Sequence, residues 1–392
     1  MNYILFDNFR RNNLLPLTYT RPVSEIRIGI LTIREKWENY LGKKTSTLTE
    51  DYLRKKFPVV KEENNILINA SICPNEKLIK EIKALKSNEV LVAADEVIIA
   101  MHLESKELEK VEDTKGFKEL EFKSDFLKIN NVWDIFALNK QAIIDDFELI
   151  TKGRKSLEPG NNCSVIGNGK LFIEEGAKIF QATINTTTGP VYIGKNAEIM
   201  EGSLIRGPFA MCDYSTLKMG TKIYGATTIG PFSKVGGEIN NCVIFGYSNK
   251  AHDGFLGHSV IGEWCNLGAG TNNSNLKNNY KEVRLYNYPQ QSFIPTDLQF
   301  CGMIMGDHSK CAINTMFNTG TVVGVNSSIF GSGFPRNFIP SFSWGGHAGF
   351  SKFDVNKAIE VAKLVYERRN LKFDEIEQDI LRSVFDITYN NF

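Results

Sequence analysis

The sequence predicts an α/β domain, then a parallel β-helix of hexapeptide repeats, then a short helical tail. Three observations carry that expectation. Apolar residues recur at every sixth position over Ile193, Ile199, Ile205, Met211, Leu217, Ile223, Ile229 and Val235, and again over Met305, Cys311, Phe317, Val323 and Ile329. A period of six fits neither an α-helix, at about 3.6, nor a flat strand, at about 2. It fits coils in which each hexad gives one short strand and one turn, with Gly, Asn and Asp supplying positive-φ turn residues. Upstream, short apolar runs alternate with helix-like segments, and downstream two segments have helical periodicity.

The 392 residues suffice for two or three cores. The 46 basic and 45 acidic residues leave a net charge of +1 with no basic run, so nucleic-acid binding is not expected. Seven cysteines are scattered without a CxxC pair. That suggests a reducing compartment and argues against a disulfide framework or a zinc site. The start, M-N-Y-I-L-F-D, lacks the basic region and long apolar core of a signal peptide. No apolar run approaches the roughly 18 residues that span a membrane. A cytoplasmic, soluble protein is expected.

Residues 1–152 alternate strands (Tyr3–Phe6, Asn65–Asn69, Val90–Ala94, Val97–Ile99) with helices (Ser24–Tyr40, Pro74–Leu85, Trp133–Phe147), Ser24 standing as an N-cap. Such alternation predicts a layered domain with a mostly parallel sheet and a ligand beyond the strand ends. The turn Asp7–Pro22 follows the first strand, where phosphates dock, and carries Arg10, Arg11, Thr18 and Arg21. The Lys/Glu-rich stretch within 103–130 reads as solvated surface. Lys152–Asn162, with its Gly, Pro and Asn, is the domain boundary. The β-helix is expected over 163–335, ending at the breakers Gly331–Pro335, and a helical cap over 353–392 covers its open end.

The richest stretch is Lys250–Arg284, K-A-H-D-G-F-L-G-H-S-V-I-G-E-W-C-N-L-G-A-G-T-N-N-S-N-L-K-N-N-Y-K-E-V-R. With Gly306–Asn314, it resembles the left-handed β-helix acyltransferase domain of the bifunctional N-acetylglucosamine-1-phosphate uridylyltransferase/glucosamine-1-phosphate acetyltransferases. Archaeal-type sugar-1-phosphate nucleotidylyltransferases with acetyltransferase tails are closest in pattern. The opening Leu15-Pro16-Leu17-Thr18-x-x-Arg21-Pro22 resembles the start of sugar-1-phosphate nucleotidylyltransferases. It departs from that pattern by lacking the Gly-rich loop, by Val23 in place of the lysine, and by Ala70-Ser71 where a Mg²⁺-binding Asp would follow the strand.

The resemblance implies roles for individual residues. His252 is the general base that strips the ammonium proton of a sugar amine, a task suited to a side chain titrating near neutrality. Asn275 orients the amine and the reacting carbonyl. Lys281 and Arg284, with Lys250 nearby, hold the sugar phosphate, and Phe255 replaces a family Tyr. Gly268, Ala269 and Gly270 form a thin wall along the pantetheine arm of acetyl-CoA, and a backbone N–H near Ile313 meets the oxyanion. Arg10, Arg11, Thr18 and Arg21 bind the nucleotide, with Mg²⁺ implied for nucleotidyl transfer and its ligands unknown. His258 and His308 are structural.

The implied function is acetyl-CoA-dependent N-acetylation of a hexosamine-1-phosphate and nucleotidyl transfer from an NTP to the sugar-1-phosphate, as for UDP-N-acetylglucosamine. The implied assembly is a homotrimer, with no nucleic-acid or membrane partner. Two alternatives stand beside it: a glucose-1-phosphate thymidylyl- or uridylyltransferase with a non-catalytic, trimerising β-helix, and an oligomeric scaffold with decayed sites.

Overall fold

The computed structural model describes residues 1–104, 108 and 114–389. The chain forms two compact units: Met1–Leu14 with Thr20–Ile26 and Leu31–Asn130, and Leu15–Tyr19 with Arg27–Ile30 and Asn131–Phe392.

The first unit is built on a six-stranded sheet of β1 (Asn2–Phe6), β2 (Ser46–Leu48), β3 (Asn64–Asn69), β4 (Glu89–Ala93), β5 (Ile98–Glu104) and β6 (Lys118–Phe122), ordered β2-β1-β3-β5-β4-β6. β1 runs parallel to β2 and β3, and β4 to β6, but β5 is antiparallel to both neighbours. The sheet is therefore mostly parallel as expected, five strands running the same way, and mixed only through the reversed β5. The link between β4 and β5 is too short for a parallel crossover, which needs roughly a dozen residues. Ile4, Phe6, Leu67, Val90, Met101 and Leu103 pack as its core.

Helices α1 (Ile33–Leu41) and α2 (Glu76–Ala84) belong to this unit. Helix α1 starts well after Ser24, which lies in the separate turn Val23–Glu25. Its cap is Thr32, which accepts from the Glu35 N–H at 3.2 Å while the Glu35 carboxylate accepts from the Thr32 N–H at 2.7 Å. That reciprocal pair is the S/T-x-x-E start signal. Buried Trp37 donates its indole N–H to the Ile72 carbonyl at 2.8 Å, so its polar edge is satisfied. Most of the Lys/Glu-rich stretch lies outside the described residues.

The second unit opens with α3 (Asp134–Ala137) and α4 (Asn139–Thr151), two helices where the periodicity pointed to one. Behind them stands a parallel β-helix whose short strands stack into three sheets. Each sheet carries an inward column: Ile184, Ile205, Ile223, Ile239 and Leu256 on one; Ile193, Met211, Ile229, Ile244, Ile261, Met305 and Val323 on the next. These residues make one buried core, the physical meaning of the sixth-position rule.

The coils are interrupted by an excursion between Asn275 and Phe300 that includes the antiparallel hairpin Arg284–Asn287 and Ser292–Pro295. At the far end, Gly349–Lys352 pairs antiparallel with Ser343–Gly346. Helices α5 (Val355–Glu367) and α6 (Glu375–Thr388) follow, N-capped by Asp354 and Asp374. They pack on a corner of the β-helix where Tyr214, Phe232, Tyr247 and Trp264 stack at 4.9, 4.9 and 4.2 Å. Tyr366 of α5 extends the stack over Trp264 at 3.9 Å, and Phe385 of α6 meets Phe342 edge-on. Among the described residues no helix is long and apolar enough to cross a membrane.

Candidate functional site

Three successive turns on one edge of the β-helix carry five of the residues singled out in the sequence. The turn after Asn249–Lys250 holds His252, exposed to solvent. On it lies the turn Gly268–Thr271, whose Gly270 N–H donates to the Asp253 carbonyl at 3.1 Å. On that lies Ala312–Thr315, where the Asn314 N–H donates to the Ala269 carbonyl at 2.7 Å. Gly268, Ala269, Gly270 and Ile313 thus come together, next to the His252 turn. A Cβ on Gly268 would sit 2.5 Å from the Ile313 nitrogen, and one on Gly270 would sit 2.2 Å from the Asn314 side-chain oxygen. The glycines therefore let the next coil, with the Ala312–Ile313 peptide, pack directly on this turn. The Ile313 side chain itself is 69% exposed.

Beside these turns, a second cluster gathers on Gly257. A Cβ there would meet the Asn275 amide and the Phe255 ring, each at 2.5 Å. The Asn275 amide lies 2.9 Å from His258 Nδ1, and the Asn241 amide nitrogen lies 3.2 Å from His258 Nε2. Phe300 stacks on the imidazole at 5.2 Å and Phe136 meets it edge-on at 5.8 Å. Burial lowers the His258 pKa to about 4, so the ring is neutral at ordinary pH.

The tautomer follows from the partners. Asn241 Oδ1 accepts from the Ala226 N–H at 2.8 Å, which fixes its amide nitrogen towards the ring. Nε2 must then accept, leaving the proton on Nδ1. The Asn275 amide nitrogen is the atom at 2.9 Å, but a protonated Nδ1 needs an acceptor, so we assign that amide the other way round, with its oxygen to His258 and its NH₂ away from the ring. His258, taken from the sequence as merely structural, therefore orients Asn275. No sequence signal could show this, since the two sit on different coils. By ¹⁵N NMR, His258 should remain neutral and Nδ1-protonated until the pH falls near 4. A transition near the ordinary histidine value, about 6.5, would contradict the assignment.

Of the three cations expected at the sugar phosphate, Lys250 alone sits differently from expectation. Lys281 and Arg284 are exposed on the excursion, and Arg284 donates to the Phe293 carbonyl across its hairpin. Lys250 is not beside a phosphate position. It is 1% exposed, with its ammonium enclosed by the carbonyls of Gly236 at 3.2 Å, Asp253 at 3.1 Å and His252. Its strand position points into the prism, in the column of Val235, which is why the charge is interior.

In the first unit, the phosphate-binding expectation narrows to Arg10. Arg11 is 5% exposed, its Nε paired with Asp7 at 3.3 Å and its Nη2 donating to the Tyr52 hydroxyl at 3.1 Å. Arg21 is 4% exposed and Thr18 wholly buried. Thr18 also lies in Leu15–Tyr19, a segment of the second unit whose Tyr19 rests edge-on against Tyr288. Arg10 stays half-exposed, donating to Asn130 Oδ1 at 2.8 Å and lying 5.5 Å from the centre of the exposed Phe9 ring. Lys128, paired with Asp95 at 2.7 Å, is a further cation near the strand ends that sequence reasoning missed, more than a hundred positions from Arg10.

The donor set does not fit a protein-held Mg²⁺ at the end of β3. Ala70 has no ligand atom there, and the buried Ser71 hydroxyl donates to Asn69 Oδ1 at 2.8 Å. Among the described residues no three His, Cys, Asp or Glu side chains cluster as metal ligands.

Residues 3–155 match the family model described as sugar nucleotidyl transferase. The chain is 28% identical over 221 residues to the bifunctional protein GlmU of Methanocaldococcus jannaschii, covering 56% of this chain and 47% of that protein. It is 28% identical over 215 residues to a bifunctional sugar-1-phosphate nucleotidylyltransferase/acetyltransferase of Sulfurisphaera tokodaii, covering 54% and 47%. The chain thus spans about half the length of the curated relatives it matches. Among solved structures, the polySia-specific acetyltransferase NeuO aligns at 14% identity over 54% of this chain and 99% of its own, with a TM-score of 0.31.

Proposed function

From a sugar nucleotidyl transferase domain followed in one chain by a β-helix of the hexapeptide acyltransferase kind, we propose a bifunctional enzyme of sugar-nucleotide synthesis. The β-helix transfers an acetyl group from acetyl-CoA to the amine of a hexosamine-1-phosphate. The first domain joins the product to a nucleotide from an NTP, as in the making of UDP-N-acetylglucosamine. The supporting observation is the stacking of the His252 turn, the Gly268–Gly270 wall and the Ile313 amide on successive coils.

In this reading His252 takes the ammonium proton, and the amine attacks the thioester carbonyl. The Ile313 N–H meets the developing oxyanion. Asn275, held by His258, offers its NH₂ to the reacting groups. Phe255 gives the sugar an apolar ring to pack on, and Lys281 and Arg284 approach its phosphate from the mouth of the site. The protein works in the cytoplasm, as a homotrimer that buries flat prism faces against its own copies.

A second reading, in which the first domain no longer transfers nucleotide, is favoured by the burial of Arg11, Thr18 and Arg21. Measuring thiol and pyrophosphate release together, over a panel of sugar phosphates with UTP and dTTP, separates the two. Release of both is expected; thiol without pyrophosphate selects the second reading, and no thiol removes the acyltransferase. Arg10→Ala should weaken UTP or dTTP binding roughly 10- to 100-fold in calorimetry, the worth of one charge-assisted hydrogen bond. Unchanged affinity would take Arg10 out of the site.

A further inference from the structure

The enclosed ammonium of Lys250 stands where the rest of the fold places an apolar side chain. Its column reads Ile179, Ile199, Leu217, Val235, Lys250, Leu267, Cys311 and Ile329, and every other member is aliphatic or a cysteine. The coil beneath explains the space. Its inward residues Val235 and Ile239 are four positions apart across the corner, whereas Lys250 and Leu256 are six apart. The longer His252 turn overhangs a shorter corner made by Gly236 and Gly237.

Other long corners on this edge hold themselves with a hydroxyl. Ser203, Thr221, Thr271 and Thr315 each donate to the carbonyl three residues back, that of Met200, Lys218, Gly268 and Ala312, at 2.5–2.8 Å. The matching position in the His252 turn is Gly254, at φ +118°. A Cβ there would lie 2.1 Å from the Thr271 carbonyl oxygen, so no hydroxyl-bearing residue fits. The carbonyl such a hydroxyl would meet here is that of Ala251; Lys250 holds the turn through the next two carbonyls, those of His252 and Asp253, from inside the prism.

We infer that Lys250 is a positioning residue: in a turn that has no hydroxyl cap, its ammonium pins the His252 and Asp253 carbonyls and so holds the turn that presents His252 to the acyl-transfer site. The inference rests on the acyl-transfer reading for its consequence in catalysis, but not for the anchoring itself. Burial lowers the Lys250 pKa to about 8, with Asp253 and then Cys311 opposing the fall, so the ammonium form holds at neutral pH. The three N–H donors of an ammonium match the three carbonyls of Gly236, His252 and Asp253.

The test compares wild type, Lys250→Met and Lys250→Gln in the full chain. Methionine keeps the length of the stem and removes every donor; glutamine restores two donors without the charge. Displacing a base by about 1 Å costs on the order of 10²-fold, so kcat for thiol release should fall by about that much in Lys250→Met. It should recover partly in Lys250→Gln, with KM for both substrates within about twofold of wild type. In parallel, hydrogen exchange should quicken at the Phe255 and Gly270 amides, which bond to Asn272 Oδ1 and the Asp253 carbonyl, while the Val235 and Leu267 strands stay protected. Unchanged kcat in both variants overturns the inference, as does quickened exchange throughout the β-helix, which marks a general core role. If the wild type releases no thiol, the acyl-transfer reading fails by itself. The exchange pattern then decides the anchor alone: local quickening sustains it and unchanged exchange overturns it.

Discussion

His252→Ala should lower kcat for thiol release by about 10²–10⁴-fold, the usual worth of a general base. At roughly 1.36 kcal/mol per decade, that is about 3–5 kcal/mol of barrier. The fold should not suffer, because the imidazole is exposed and the fold grips this turn through the His252 carbonyl, which alanine retains. KM for acetyl-CoA should stay close to wild type, since the lost interaction belongs to proton removal and not to binding. Lys281→Ala should show the opposite split, a raised KM for the sugar phosphate with kcat little changed. Steady-state thiol-release kinetics with a hexosamine-1-phosphate give both numbers. Equal kcat in wild type and His252→Ala would end the base assignment.

Asp7→Ala should cost about 3–5 kcal/mol of stability, the range for removing one partner of a buried ion pair. The carboxylate closes β1 onto the turn that follows. It accepts from the Val23 N–H at 2.9 Å and the Thr49 hydroxyl at 2.6 Å, and pairs with Arg11 at 3.3 Å. Burial raises its pKa to about 6, against the lowering by Arg11, Thr49 and the Val23 N–H. A folded-state pKa above the ordinary aspartate value, about 3.9, means the folded protein binds more protons between about pH 4 and 6. The Asp7 contribution to stability is therefore greatest below that window and declines as pH rises through it. Denaturant unfolding across pH 4–7 should show that slope in wild type and its loss in Asp7→Asn. A slope of the opposite sign would mean that Arg11 outweighs burial.

The β-helix was legible because an inward position tolerates few residue types and repeats with every turn. The register breaks where the physics changes. At Gly236-Gly237 the corner loses two positions, so Lys250 reads as a turn cation although it occupies the column of Val235. The close packing of the next coil was readable from the small residues Gly268-Ala269-Gly270, whereas the His258–Asn275–Asn241 contact joins residues on separate coils and leaves no local pattern. In the first domain, the start of α1 was misplaced because Ser24 and Thr32 are both good caps. Only Glu35, three residues after Thr32, tells them apart. Three of the four nucleotide candidates were chosen for residue type in a turn. Burial, which sequence does not display, separates Arg10 from Arg11, Thr18 and Arg21.

The central claim is that one chain carries out two group transfers on one sugar. The most direct measurement is NMR analysis of the sugar after wild-type protein is incubated with acetyl-CoA, glucosamine-1-phosphate, UTP and Mg²⁺ in a single vessel. An N-acetyl signal on the sugar amine should appear first, followed by a UDP-linked sugar with release of pyrophosphate. An amine left unmodified both here and in a parallel sample with galactosamine-1-phosphate, or an N-acetylated sugar with no pyrophosphate released, would contradict the account.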